Sequence, residues 1–151
     1  EIYRCDWSSD VCSSDLFLDA DTWSDWITYR RVPTACKKND PVFFWSSGKL
    51  RSIVALGKIR NPHIDGHVFE ITHLSQAYFP PDCRLGIQEI RDAFSDEQLA
   101  SASYLKPSVV ATIYPVPIDQ ASTIVDLLRK KNPDNPHLAK WSKFCASVVG
   151  M

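Results

Sequence analysis

A chain of 151 residues, 44% apolar and 23% charged, has the make-up of one globular domain that can bury a core without disulfide or metal staples. Its net charge of −1 says nothing about partners by itself, and no apolar run is long enough to span a membrane. Five scattered cysteines, Cys5, Cys12, Cys36, Cys83 and Cys145, are odd in number and lack a CxxC spacing. They point to reduced thiols in a cytoplasmic protein rather than to a disulfide framework or a zinc site.

In residues 1–16 the apolar Trp7, Val11 and Leu16 follow neither a helical nor a strand period, and Asp with doubled Ser favours turns. The expectation is a disordered segment without function. The string CDWSSDVCSSDL also resembles one translated frame of a sequencing-library adapter, an assembly remnant fused to a gene fragment. Without this segment, which holds one Arg and four acids, the chain carries 16 basic and 14 acidic residues, a balance of +2.

From Asp19 to Tyr29, Asp21 or Thr22 caps a short helix that sets Trp23 and Trp26 on one side. Pro33 ends it. Lys37 to Pro41 is a polar turn in which Asn39 suits a left-handed conformation. Val42 to Trp45 reads as an aromatic strand, Ser46 to Lys49 as a loop, and Arg51 to Arg60 as a second strand with apolar residues on both faces and a bend or bulge at Gly57. Asn61 to Gly66 is a turn-rich connection. His67 to Leu74 alternates as a strand. Ser95 to Gln98 is a capping box opening a short helix. Val109 to Tyr114 is a further strand. Pro117 to Lys130 is a helix with Ile118, Ala121, Ile124, Val125 and Leu128 in one stripe. His137 to Met151 reads as a final helix or the start of a linker. The fold class is α+β, a small mixed barrel with peripheral helices.

The densest chemistry is aromatic. Strand alternation parts Phe43 and Trp45 from Phe44, so one face should be core. The other, with a nearby Trp, is either core too or the wall of a slot for a flat nucleobase. Ser46, Ser47 and Gly48 follow Trp45 and make either an ordinary loop or hydrogen bonds to a base edge. Arg30, Arg31, Lys37, Lys38, Lys49 and Arg51 flank the same span, as a solvated surface or as phosphate contacts. His63 and His67 bracket an Asp65-Gly66 turn more simply than they bind a metal, and His73 shares strand parity with core residues. No GxSxG, P-loop, HExxH or GxGxxG is present. Catalysis would rest on Cys83 with His73, and nothing local activates that thiol. No catalytic residue, metal or cofactor is therefore assigned.

The stretch from Asp21 to Ile59, DTWSDWITYRR…KKNDPVFFWSSGKLRSIVALGKI, resembles the EVE domain family of PUA-like folds, which is related to YTH domains. TIYPVPIDQASTIVDLL resembles its closing strand and helix, with Tyr114 and Pro115 at the join. Asn39 stands where the family has Gly. The resemblance implies a PUA-like domain over residues 17–131, with 132–151 as a tail or linker and the family's first strand lost where residues 1–16 begin. It further implies a non-catalytic module that reads a modified, methylated nucleobase, flipped or unstacked into an aromatic cage. That cage would use Trp23, Trp26, Trp45 and Tyr114, with Ser46, Ser47 and Gly48 at the base edge and Arg30, Arg31, Lys49 and Arg51 on phosphates. Modified DNA is the favoured partner, in a modification-dependent restriction system with a fused or associated nuclease or ATPase. A PUA-type RNA-binding module is the alternative, and a small hydrolase the third reading.

Overall fold

Aromatic and β-branched runs become strands, and the helices cover the sheet they form. A computed structural model of the chain describes residues 2–7, 27–29, 37–46, 51–64, 68–105 and 113–149. The strands are β1 (Ile2–Trp7), β2 (Ile27–Tyr29), β3 (Pro41–Ser46), β4 (Ser52–Ile64), β5 (Val68–Tyr78), β6 (Leu85–Gly86) and β7 (Ile113–Val116). The helices are α1 (Ile87–Ala93), α2 (Asp96–Ser101), α3 (Ile118–Lys131) and α4 (Pro136–Val149), with 3-10 turns at Pro81–Cys83 and Ser103–Leu105.

One mixed sheet runs β2-β5-β4-β3-β1-β7, and β6 pairs with β4 beside that path. Among the described strands all pairings are antiparallel except β1 with β3. The α+β class holds, but the sheet does not close. Among the described residues β2 and β7 are its two ends, so the expected barrel is an open, covered sheet.

The segment expected to form nothing supplies β1. Tyr3 lies opposite Val42 and Trp7 opposite Ser46 in parallel register, while Ile2 to Cys5 pair antiparallel with Val116 to Ile113. Its place is therefore held by main-chain bonds on both sides, which the missing apolar period of residues 1–16 could not reveal.

β4 outruns its expected end. Its pairing with β3 ends at Lys58 opposite Pro41, yet its pairing with β5 continues to Ile64 opposite Val68. Pro62 thus falls where β4 has only one described neighbour, the kind of place a strand tolerates a residue without an amide hydrogen. The register of β4 on β5 shifts between Ala55 and Gly57, the predicted position for an irregularity.

The Lys37–Asp40 turn places Asn39 at φ 71°. Its amide donates to the Ile59 carbonyl at 2.8 Å, and Ile59 donates back to Asp40 at 2.9 Å. The Asp40 carboxylate accepts the Lys37 amide at 2.7 Å. At Ser95 the capping box forms in both directions, with Gln98 N to Ser95 Oγ at 3.2 Å and Ser95 N to Gln98 Oε1 at 3.1 Å.

In α3, Ala121, Ile124, Val125 and Leu128 are buried as their spacing predicts, but Ile118 at the first turn is 47% exposed. Gln120 takes an inner place instead, accepting from the Tyr104 hydroxyl at 2.7 Å and donating to Ser101 Oγ at 2.8 Å. α4 belongs to the core: Leu138, Trp141 and Cys145 lie in the same cluster as Phe43, Trp45, Ile53 and Leu56. The helical reading of the C-terminal segment therefore holds, and its packing shows no break at residue 131.

Candidate nucleic-acid interface

The β3–β4 hairpin organises the site. Ser46 ends β3 opposite Ser52, the first residue of β4. Ser52 also pairs with Gly86, and the Arg51 carbonyl accepts the Ile87 amide at 2.9 Å. These bonds fix the start of α1 against the start of β4, although the two are remote in sequence.

Between them lies a cleft of about 300 Å³ bordered by Arg51, Ser52, Arg84, Gly86, Gln88 and Glu89. Arg51 is exposed and Arg84 half-buried. Arg84 Nε donates to the Phe79 carbonyl at 2.9 Å, which anchors the guanidinium. Glu89 Oε2 accepts the Gly86 amide at 2.8 Å, and both its oxygens accept from Lys131 Nζ at 2.9 Å. The Gly86 amide, ahead of the Lys131 ammonium, holds Glu89 below its usual 4.5 against the opposing effect of burial. The carboxylate is thus ionised and already partnered. The two guanidinium groups are the cationic feature of this cleft, and an anion is the ligand they suit.

Trp45 is not on an open wall. It is 2% exposed, and Phe43 and Phe44, on opposite faces of β3, are 1% and 0% exposed. Both faces of the strand are covered, so the choice between core and slot falls to core for this segment. The register of β3 on β4 shifts between Phe44 and Trp45, and Trp141 of α4 stacks on Phe43 at 5.3 Å between ring centres, tilted by 48°. Tyr114 is also buried, at 8% exposure. Trp23, Trp26, Arg30, Arg31, Ser47, Gly48 and Lys49 lie outside the described residues.

Arg51 is the predicted phosphate residue that the described structure places on the cleft. Arg84 was missed by sequence reading. It sits between a Pro-Pro turn and the two-residue β6, and only the long-range pairing of β6 with β4 brings it to Arg51. Among the described residues no group of three His, Cys, Asp or Glu could hold a metal. Cys83 is half-buried, and its carbonyl accepts from Asn132 Nδ2 at 3.0 Å. No described helix is long and apolar enough to cross a membrane.

No protein-family model matches the sequence, and no curated protein does. The fold does match solved structures. The human THYN1 protein, solved in complex with DNA containing 5-methylcytosine, superposes with a TM-score of 0.54 at 12% identity over 84% of this chain and 96% of that one. The chain has the fold of that domain. The DUF55 domain of human thymocyte nuclear protein 1 gives a TM-score of 0.53 at 16% identity, covering 85% of this chain and 99% of that one. A protein from Pseudomonas putida gives 0.60 at 14% identity, with the same coverage.

Proposed function

We propose that this chain binds nucleic acid and reads a modified base, a methylated base in DNA foremost. The observation that carries the reading is the shared fold with a domain solved on 5-methylcytosine DNA. The cleft beside the β3–β4 loop, with Arg51 and Arg84 at its border, supports it as a phosphate site next to the loop assigned to the base edge. In this reading the base leaves its stack and seats at Ser46, Ser47 and Gly48, with Trp23 and Trp26 as stacking partners. Trp45 supports the loop from the core beneath. Extruding a base costs a few kcal/mol, which stacking and phosphate contacts offset. One buried methyl contributes about 0.8 kcal/mol, so discrimination from the methyl alone is about fourfold. The module performs no chemistry of its own, and coupling to a nuclease or ATPase in a restriction system belongs to the same proposal.

The test is a titration of matched duplexes carrying cytosine or 5-methylcytosine, with the same strands as RNA in a third arm. Tighter binding of the methylated duplex is expected. Equal affinity for both duplexes overturns base reading, and preference for the RNA strand moves the assignment to an RNA-binding module.

A further inference from the structure

The far end of β4 carries charge that the base-reading site does not use. α4 turns Leu138, Trp141, Ser142 and Cys145 inward and leaves Lys140, Lys143 and Ser147 exposed at helical spacing, with the small Ala139 and Ala146 beside them. The helix contains no Asp or Glu. Its Trp141 Nε1 donates to the Gly57 carbonyl at 2.9 Å, which seats the helix over this end of the strand. Lys58, the next residue, places Nζ 5.6 Å from the centre of the Phe144 ring. Beyond it, Ile59 bonds to the turn that carries the exposed Lys37 and Lys38. Lys37, Lys38 and Lys58 therefore lie around Gly57–Ile59, and Lys140 and Lys143 stand on the exposed face of the helix seated there. The described acid within this group, Asp40, is 5% exposed and accepts the Lys37 amide. Asp134 stands in the turn before α4, and Glu70 lies in register with Asn61 further along β5.

We propose that the outer face of α4, with Lys58 and the Lys37–Lys38 turn, is a second contact surface for the phosphate backbone of nucleic acid. The inference rests on the nucleic-acid reading above and extends its footprint. Arg51 stands directly before β4 and Lys58 lies within it, seven residues on, about 23 Å at about 3.3 Å per residue. That spans about seven nucleotides at about 3.4 Å each. A strand or duplex bound at Arg51 and Arg84 therefore reaches the α4 lysines only if it is long enough. The small Ala139 and Ala146 beside the lysines let a backbone approach closely, and a ligand with regularly spaced negative charge matches the cations.

The experiment compares the wild-type chain with the double variant Lys140→Gln/Lys143→Gln, both sites exposed. Short (4 base pairs, held by an interstrand cross-link) and long (20 base pairs) duplexes carrying one modified base at the end are titrated between ~50 and ~200 mM salt. For the long duplex the slope of log affinity against log salt should shrink by about 1.8, two contacts at about 0.9 each, and affinity should fall roughly tenfold or more at low salt. The short duplex should bind both proteins alike. An unchanged slope on the long duplex, or equal loss on both lengths, overturns the second surface. Failure of the wild type to bind any duplex overturns it as well. Loss of anionic-vesicle binding in the variant, with the duplex isotherms unchanged, reassigns the face to a lipid surface. A shrunken slope without methyl discrimination keeps this surface and removes only the base reading.

Discussion

The indole of Trp141 donates a buried hydrogen bond to the carbonyl of Gly57, 84 residues earlier in the chain. Gly57 sits at the irregularity in β4, where the strand's pairing with β5 shifts. The bond thus satisfies a carbonyl inside the covered sheet and fixes the last helix in the same step. Trp141→Phe keeps much of the ring packing against Phe43 but leaves that carbonyl without its donor. The expected loss is about 1–3 kcal/mol. Trp141→Ala also opens a cavity and should cost about 3–5 kcal/mol. Urea unfolding of the two variants measures both, and a loss near zero for Trp141→Phe would show that the hydrogen bond contributes little.

Trp45→Ala should behave as a core deletion. With the ring 2% exposed, the expected cost is about 3–5 kcal/mol, seen as a lower denaturation midpoint. This reverses what an open-slot reading of the sequence predicts, namely lost binding with stability intact. Trp45→Phe should fold and retain nucleic-acid binding, because the support beneath the loop survives.

Asn39 holds φ 71°, a conformation that costs residues with a Cβ roughly 1–2 kcal/mol unless Asn, Asp or Gly occupies it. Asn39→Gly should leave thermal stability nearly unchanged. Asn39→Val should lower it by about 1 kcal/mol or more. Equal melting of the two would show that the turn relaxes at no cost.

The depressed Glu89 carboxyl links stability to pH with a definite sign. Its folded value lies below the usual 4.5, so its contribution is full above about that pH and is lost as pH falls through the lower folded value. Glu89→Gln should therefore melt lower than wild type at neutral pH, with the gap closing in strong acid. A gap independent of pH would mean that the side chain acts through packing or neutral hydrogen bonding.

Cys145 is buried, and burial pushes its thiol up to about 12. It should resist alkylation by iodoacetamide near pH 8 and react only on unfolding, as mass spectrometry of labelled peptides would read. The same shift means that stability falls as pH rises above the usual thiol value near 9, because the unfolded chain ionises first.

Features written in a short window were legible in the sequence. The Ser95 capping box, the inner stripe of α3, the left-handed Asn39 and the irregularity at Gly57 each depend on residues a few positions apart. What depends on a distant partner was not. Nothing near Phe43 signals that Trp141 will cover it, so one face of β3 remained open to a ligand reading. The Asn61-Pro62 turn signal was overridden because β5 continues to pair with β4 on one side. Arg84 has no motif, and its place beside Arg51 exists only through the pairing of Ser52 with Gly86. In β1, Tyr3, Cys5 and Trp7 do alternate with Arg4 and Asp6. That short period is diluted by the serine-rich residues that follow.

The position of β1 has one more consequence. Held by backbone contacts to β3 on one side and β7 on the other, it occupies a berth that recognises an extended main chain more than particular side chains. Removing residues 1–7 would bare two facing edges one strand apart. A synthetic six-residue peptide of alternating character should then dock there in trans, restoring the sheet by complementation.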